Sequence, residues 1–557
     1  MKKIGIFVII ALVALVSKAQ EFTFTNGIIF INEDRYGANQ GSINYYNYDY
    51  NEMEYNVFAF VNPGVKLGVT SQHGQLFGGR LFIVSKQANG NESSGSTVGS
   101  RLAVLDGVTL VQQANILRFG ASADSTYDGR AYCAVNNYKG YISTNAGIFV
   151  LDVASMTVRG PIQGTQSSAR GDYNSLYYDQ CGDMVRFGQY VYAVQQGKGL
   201  HVIDPETDAI VTTLPFPDIV TVFVTAGGKL YVANNSREVY DFGTGPFEAN
   251  FTQIDPVTFE IKSVHSLPED KGAVCAWGAW HARMLCVDPV AERVYFNHEE
   301  YQNFISSYDF NSREFIDTLI LLPEGVETNW DGTKERQGLY ASALSFDPHT
   351  GDMVVQTTEA APMYAYQNFN HNWVLFYNVM TGELKRQVRL QDAYWFPALA
   401  VYPDLYAPTI SVSDMTLSRG TSSEVNLLHA IQDPDNMAAL AVTTVQSRDE
   451  SIVRARVVGL KLIVEAVAPG RATIDVTTDS NGQLATTSFV VTVTDGSSPG
   501  DVNMDGKISI DDVTDLIDIL LGSVLTVYDM GAADVNGDHR ITISDVTELI
   551  DRLLTNI

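Results

Sequence analysis

With 557 residues and a 45% hydrophobic composition, the chain outgrows a single hydrophobic core and is expected to fold as several globular domains. Its formal charge of −28 excludes nucleic acid as a partner, because phosphate binding is driven by Lys and Arg. Beyond the N-terminus, no apolar run approaches the roughly 18 residues of a transmembrane helix, which excludes a helical membrane span.

The chain opens with Lys2 and Lys3, an apolar stretch over residues 4–16, and the small residues Ser17 and Ala19. That order is the pattern of a secretory signal peptide over residues 1–19, cleaved after about Ala19. No cysteine stands at the junction, so the usual lipid-attachment signal is missing. The expectation is a secreted protein, extracellular or held at the cell surface.

Residues 24–405 repeat one small unit. Its clearest copy is residues 190–214, where two short alternating runs and a third strand are joined by turns at residues 195–199 and 204–207. Period-two apolar runs bounded by turn residues predict strands. A unit this small cannot bury its own faces and must stack on copies of itself. Related pairs occur at residues 27–32 and 41–46, 80–84 and 101–106, and 131–135 and 147–152. Three more follow at 229–233 and 251–258, 293–296 and 306–309, and 352–355 and 374–378. About seven units at a spacing of roughly 40–60 residues predict a seven-bladed β-propeller. Residues 395–402 read as an inner strand with no blade after it, and the unit at residue 27 lacks that strand. The two ends are therefore expected to close the ring together.

The first unit, residues 27–33 with 37–46, resembles a large family of exported propellers of Bacteroidota that carry a domain of unknown function and are related to YncE-like propellers. Some relatives are surface proteins that capture cobalamin for a TonB-dependent transporter. The resemblance implies ligand capture, with an outer-membrane transporter as one partner.

Residues 407–495 change texture, with fewer aromatics and more Val and Thr. About seven short strands, with Gly459, Pro469 and Gly470 in turns, predict an immunoglobulin-like β-sandwich. The segment around residues 468–474 resembles the bacterial Ig-like modules of surface proteins, whose usual role is that of a spacer. Residues 496–500 form a Gly/Ser/Pro linker.

Residues 501–557 hold an Asp-rich loop and an amphipathic helix, repeated 33 residues later. Loop positions 1, 3, 5, 9 and 12 offer side-chain oxygens and position 7 a backbone carbonyl, the arrangement that surrounds Ca2+ with hard donors. The first site would use Asp501, Asn503, Asp505, Lys507 (carbonyl), Ser509 and Asp512. The second would use Asp534, Asn536, Asp538, Arg540 (carbonyl), Thr542 and Asp545. The helices share one apolar phase, Val513, Leu516, Ile517, Leu520, Leu521 and Val546, Leu549, Ile550, Leu553, Leu554, so the two faces are expected to pack together. Asp at position 12, with no helix entering either loop, resembles dockerin, a small α-helical module. Two Ca2+ sites and a cohesin-like partner are what that resemblance implies. His539 stands where the first loop has Gly506, so the second site is expected to be the weaker.

No catalytic constellation emerges: a G-x-S-x-G elbow is absent and the nine histidines are scattered. Cys275 and Cys286 are close enough in sequence to pair in an oxidising compartment, but pairing depends on geometry and the sequence leaves both states open. Aromatic and Arg side chains in blade connections are the candidate ligand contacts, because loops on a rigid scaffold carry binding residues. They are Arg35, Tyr36, Tyr127, Arg130, Tyr178, Trp277, Trp280, Trp330, Arg336 and Trp395. The expected protein is a non-enzymatic binder of a corrinoid-like small molecule or a glycan. A polysaccharide-degrading lyase or hydrolase carrying a dockerin, and a protein-binding scaffold, are the alternatives; a histidine with paired carboxylates on one rim would favour the enzyme.

Overall fold

The computed structural model describes residues 22–35, 39–87, 99–120, 127–167, 179–235, 248–273, 285–298, 301–328, 332–359, 368–494, 498–522 and 530–555. It is mainly β. Among these residues, seven antiparallel sheets of four or five strands account for residues 27–401. Each sheet after the first is a meander of consecutive strands, because a two- to five-residue turn suffices to join antiparallel neighbours. The first sheet is the exception. Its innermost strand is Pro397–Val401, which pairs with Gly27–Asn32 through Ile29↔Val401, Phe30↔Ala400 and Ile31↔Leu399. The two ends of the repeat thus close it, as the unpaired run near residue 395 predicts.

Strand alternation explains how the sheets stack. In the second sheet Leu81 and Ile83 join the apolar cluster shared with the first sheet, and Phe82 and Val84 join the one shared with the third. Equivalent clusters unite third with fourth, fourth with fifth, fifth with sixth, sixth with seventh, and seventh with first. Both faces of these strands are buried, so they read as near-continuous apolar runs rather than as clean alternation. This cost the sequence reading one strand: residues 131–135 and 147–152 are the first and third strands of their sheet, with Lys139–Thr144 between them.

Two sheets follow over residues 415–494. One orders its strands Met415–Ser418, Gln483–Thr494, Gly470–Ser480, Val442–Ser447, and the other Ser422–Asn426, Lys461–Ala466, Val453–Val458. A core including Val453, Leu462, Val464, Ile474, Val476, Phe489 and Val491 lies between them. This unit is docked, which a spacer role does not anticipate. Its Leu428, Ala439, Leu440 and Leu460 share an apolar cluster with Tyr192, Val222, Val224 and Leu230 of the fourth and fifth sheets. Polar contacts extend the seam: Asn137 Nδ2 donates to the Gly482 carbonyl at 2.9 Å and Gln189 Nε2 to the Val457 carbonyl at 2.9 Å. Gly482 packs against the Gly78 backbone so closely that a Cβ would lie 2.5 Å from its nitrogen.

At the C-terminus, helices Ile510–Leu520 and Ile543–Thr555 pack through Val513, Leu516, Val546 and Leu549, with Val502, Ala533 and Val535 filling the seam. The predicted apolar faces are only partly used. Leu521 is 77% and Leu554 66% exposed, because two helices alone bury a narrow seam and leave the rest of each stripe in solvent. Cys133, Cys181 and Cys286 are buried, and Cys275, the other half of the expected pair with Cys286, lies outside the described residues.

Candidate functional sites on the loop face and in the C-terminal loops

Antiparallel meanders send alternate connections to opposite edges. The turns at residues 78–79, 137–138, 188–189 and 227–228 emerge on one face of the ring, and the docked unit meets that face at the second to fifth sheets. The longer connections between second and third strands, and between successive sheets, emerge on the other. Arg35, Tyr127, Arg130, Arg336 and Trp395 all belong to that loop face or to strand ends beside it. Tyr36, Tyr178, Trp277, Trp280 and Trp330 fall on residues outside the described set.

The described candidates have distinct surroundings. Arg35 is exposed in its turn. Tyr127 packs on the cluster between the second and third sheets, with its ring 5.7 Å from that of Phe149. Arg130 is buried, donating from Nε to Gln180 at 2.7 Å and lying 3.7 Å from Asp128. Arg336 donates to the Leu322 carbonyl at 2.7 Å. Trp395 is buried, stacked 5.4 Å from Tyr55, and its Nε1–H reaches the Gln391 carbonyl at 2.8 Å. Its indole is therefore part of the ring closure.

The aromatic surface lies beside it. Tyr301, Phe369, Tyr394 and Phe396 form a connected set, with centroids 5.5 Å apart for Tyr301–Phe369, 4.8 Å for Phe369–Phe396 and 5.0 Å for Tyr394–Phe396. Next to it stands His371, whose Nδ1 is 2.7 Å from Oε2 of the fully buried Glu359; Glu327 and Asp392 are 3.8 and 3.9 Å from its ring nitrogens. Sequence reading missed this histidine. The only signal is register: Thr358↔Asn372 pairing puts Glu359 and His371 side by side at one end of two neighbouring strands.

Asp34 occupies the same rim. Burial pushes its carboxyl up to about 8, against the lowering effect of the Ser42 hydroxyl, which donates to Oδ2 at 2.7 Å; the Glu33 charge adds to the rise. A folded-state value above the unfolded one means the folded chain holds the proton more tightly. The corresponding stability is full below about pH 4 and drains away as pH rises to about 8. Asp34→Asn should therefore raise the melting temperature at pH 8.5 and leave it nearly unchanged at pH 4, as read by calorimetry at both values.

The C-terminal loops agree bond for bond. In the first, the Asp505 and Gly506 amides donate to Asp501, the Lys507 amide to Asp505, and the Asn503 and Ser509 amides to Asp512. In the second, Asp538 and His539 donate to Asp534, Arg540 to Asp538, and Asn536 and Thr542 to Asp545. Asp512 and Asp545 are completely buried. Burial holds the Asp501 carboxyl above its ordinary value, and the Asp512 and Asp505 charges push the same way. For Asp545 the backbone amides outweigh burial and hold it below the ordinary range. Among the described residues, no three His, Cys, Asp or Glu side chains converge as a metal-holding group, and the loop amides take up part of the carboxylate capacity. The donor set nonetheless fits a hard cation: oxygen only, with mutually repelling acids in the first loop and a buried carboxylate closing each.

Backbone geometry removes the reason for ranking the loops. Both require left-handed residues at positions 4 and 6: Met504 (φ 57°) and Gly506 (φ 83°) in the first, Gly537 (φ 76°) and His539 (φ 63°) in the second. Each loop has one glycine and one side-chain-bearing residue there, so the strain is exchanged between positions and not added to the second loop.

Residues 499–554 match the Dockerin type I domain, so the chain carries a C-terminal dockerin. No curated protein is similar enough to match. Similar solved structures include a quinonprotein alcohol dehydrogenase-like protein from Bacteroides thetaiotaomicron (12% identity, 68% of this chain and 79% of that one, TM-score 0.44). Another is the extracellular domain of a putative hybrid two-component system from B. thetaiotaomicron (12%, 85% and 55%, TM-score 0.37). A third is the Myceliophteria thermophila Cps50 (Swd1) β-propeller domain (10%, 60% and 94%, TM-score 0.37). The model described as Domain of unknown function (DUF5074) matches residues 26–403, more than half of the 557, and the chain therefore belongs to the DUF5074 family.

Proposed function

We propose that this is an exported binding protein that does no chemistry on its ligand. Residues 1–19 are its signal peptide. A seven-bladed propeller over residues 24–405 captures a corrinoid-like small molecule or a glycan on its loop face. An Ig-like sandwich over residues 407–495 braces the opposite face. Residues 496–500 link it to the dockerin module, 501–557, which attaches the protein to a cohesin-like partner when Ca2+ is bound. The observation that carries this reading is the asymmetry of the ring: one face meets the docked unit at the second to fifth sheets, and the other gathers the long connections. In the tail, the side chains of Asp501, Asn503, Asp505, Ser509 and Asp512, with the Lys507 carbonyl, would hold one ion. Asp534, Asn536, Asp538, Thr542 and Asp545, with the Arg540 carbonyl, would hold the other. The ion supplies positive charge that offsets carboxylate repulsion and ties loop to helix. The exposed Ile510, Leu521, Ile543 and Leu554 give such a partner an apolar surface.

His371 with Glu359, Glu327 and Asp392 favours a second reading, a glycan-degrading enzyme, since a carboxylate-held imidazole can act as a general base. Calorimetric titration of the full chain with corrinoids and neutral and acidic oligosaccharides, with product analysis after prolonged incubation, separates the two. Saturable binding without product is expected. Turnover would replace capture by catalysis, and the absence of binding together with recovered protein partners would replace it by a scaffold role.

A further inference from the structure

We propose that the loop face holds a stacking subsite for an uncharged sugar ring, built where the sixth, seventh and first sheets meet. This rests on the capture reading and names its ligand class. Three sheets contribute the aromatic wall: Tyr301 from the sixth, Phe369 from the seventh, and Tyr394 and Phe396 from the segment leading into the closing strand. None of the four belongs to the apolar clusters that hold neighbouring sheets together among the described residues. Tyr301, Phe369 and Tyr394 are half-buried and Phe396 is buried. Aromatic faces gathered among loops suit the C–H face of a sugar.

Phe396 adds a second observation. Its φ is 39°, in the left-handed region that bulky residues avoid. The Glu33 amide donates to its carbonyl at 2.9 Å and holds it there. An unfavourable backbone conformation kept at an aromatic residue, where glycine would relieve it, is a mark of a site.

The polar edge of the subsite is His371. Glu359 is completely buried; Oε1 accepts the Glu327 amide at 2.7 Å and Oε2 faces His371 Nδ1 at 2.7 Å. A carboxylate at Nδ1 keeps the ring proton there and leaves Nε2 as an acceptor. Nε2 lies 3.9 Å from Asp392 Oδ2, too far for a direct bond, while Arg389 occupies the other Asp392 oxygen at 2.8 Å. Two acceptors side by side call for two donors, which a vicinal pair of hydroxyls supplies. Glu327, Glu359 and Asp392 surround the imidazole, so a uronate or sulfated ring meets like charge. Glu359 is a positioning residue, and His371, Asp392 and the rings make the contacts.

The test is calorimetric titration of the full-length protein with neutral gluco-, manno- and xylo-oligosaccharides and with oligogalacturonate. A neutral oligosaccharide should bind, and Phe369→Ala, Tyr394→Ala and His371→Ala should each weaken it at least tenfold. Tyr138→Ala, exposed on the opposite face, should leave it unchanged. Glu359→Gln should weaken binding less than His371→Ala. Saturation-transfer NMR on the unmodified protein, reading transfer from aromatic protons to sugar ring protons, covers the case in which a variant fails to fold. Preference for oligogalacturonate, or neutral-sugar binding untouched in both ring variants, overturns the subsite. Corrinoid binding without any sugar binding overturns the sugar and leaves capture standing; no binding of either class removes both.

Discussion

Chelating calcium from the full-length protein is expected to abolish amide-exchange protection in helices Ile510–Leu520 and Ile543–Thr555 while the sheets of residues 27–494 keep theirs. From residue 501 onward the sequence has twelve acidic and three basic side chains, so the module folds against a net charge of minus nine. Its buried seam amounts to a handful of residues, among them Val513, Leu516, Val546 and Leu549. Such a core offsets little repulsion. At a hundredfold excess over its dissociation constant, each bound ion adds about 2.7 kcal/mol to the folded state. Loss of the bound calcium exceeds what a core of this size holds in reserve. Hydrogen–deuterium exchange read by mass spectrometry localises the effect, with protection falling roughly 100-fold for each site lost. Asp512→Ala and Asp545→Ala should weaken their own loops to a similar extent, because the left-handed strain is shared between Met504 and His539. Unchanged protection in excess chelator would refute the coupling, and a tenfold difference between the two loops would refute their parity.

Much of the ring was legible because a meander is written locally. Short apolar runs, turn residues and spacing give the strands, and the unpaired run near residue 395 gives the closure. What the sequence hides is which side chains converge across sheets. Trp395 reads as a ligand contact because tryptophan in a connection often is one, yet it stacks on Tyr55 and seals the closing strand. The aromatic wall at its side draws on residues 301, 369, 394 and 396, which no periodicity links. Docking of the sandwich was equally hidden. Leu428 and Leu460 look like ordinary sandwich residues until the fourth and fifth sheets are seen against them. In the C-terminal loops, position 6 was visible as the glycine turn, but the left-handed demand at position 4 was not, since one loop meets it with methionine and the other with glycine.

The second large effect concerns the closing strand. A chain ending at residue 390 should aggregate or unfold at a temperature well below one ending at residue 405. Both lack the docked sandwich, so the comparison isolates the strand Pro397–Val401 and its approach. Without it Gly27–Asn32 keeps only its pairing with Ser42–Asn47, and a fully buried strand becomes an open edge with unpaired amides and carbonyls. Trp395 leaves the structure with it, exposing Phe30, Tyr46 and Phe376 of the cluster between the seventh and first sheets. A single substitution tests the same point in the full chain. Leu399 pairs with Ile31, and Leu399→Pro removes the amide that donates to the buried Ile31 carbonyl, at a cost of about 1–3 kcal/mol. Closure by one strand from the far end couples all seven sheets, so this local loss should lower the single cooperative transition of the ring and not split off one sheet. A chain ending at residue 390 that stays monomeric and melts where the longer one does would show that the ring holds without its closing strand.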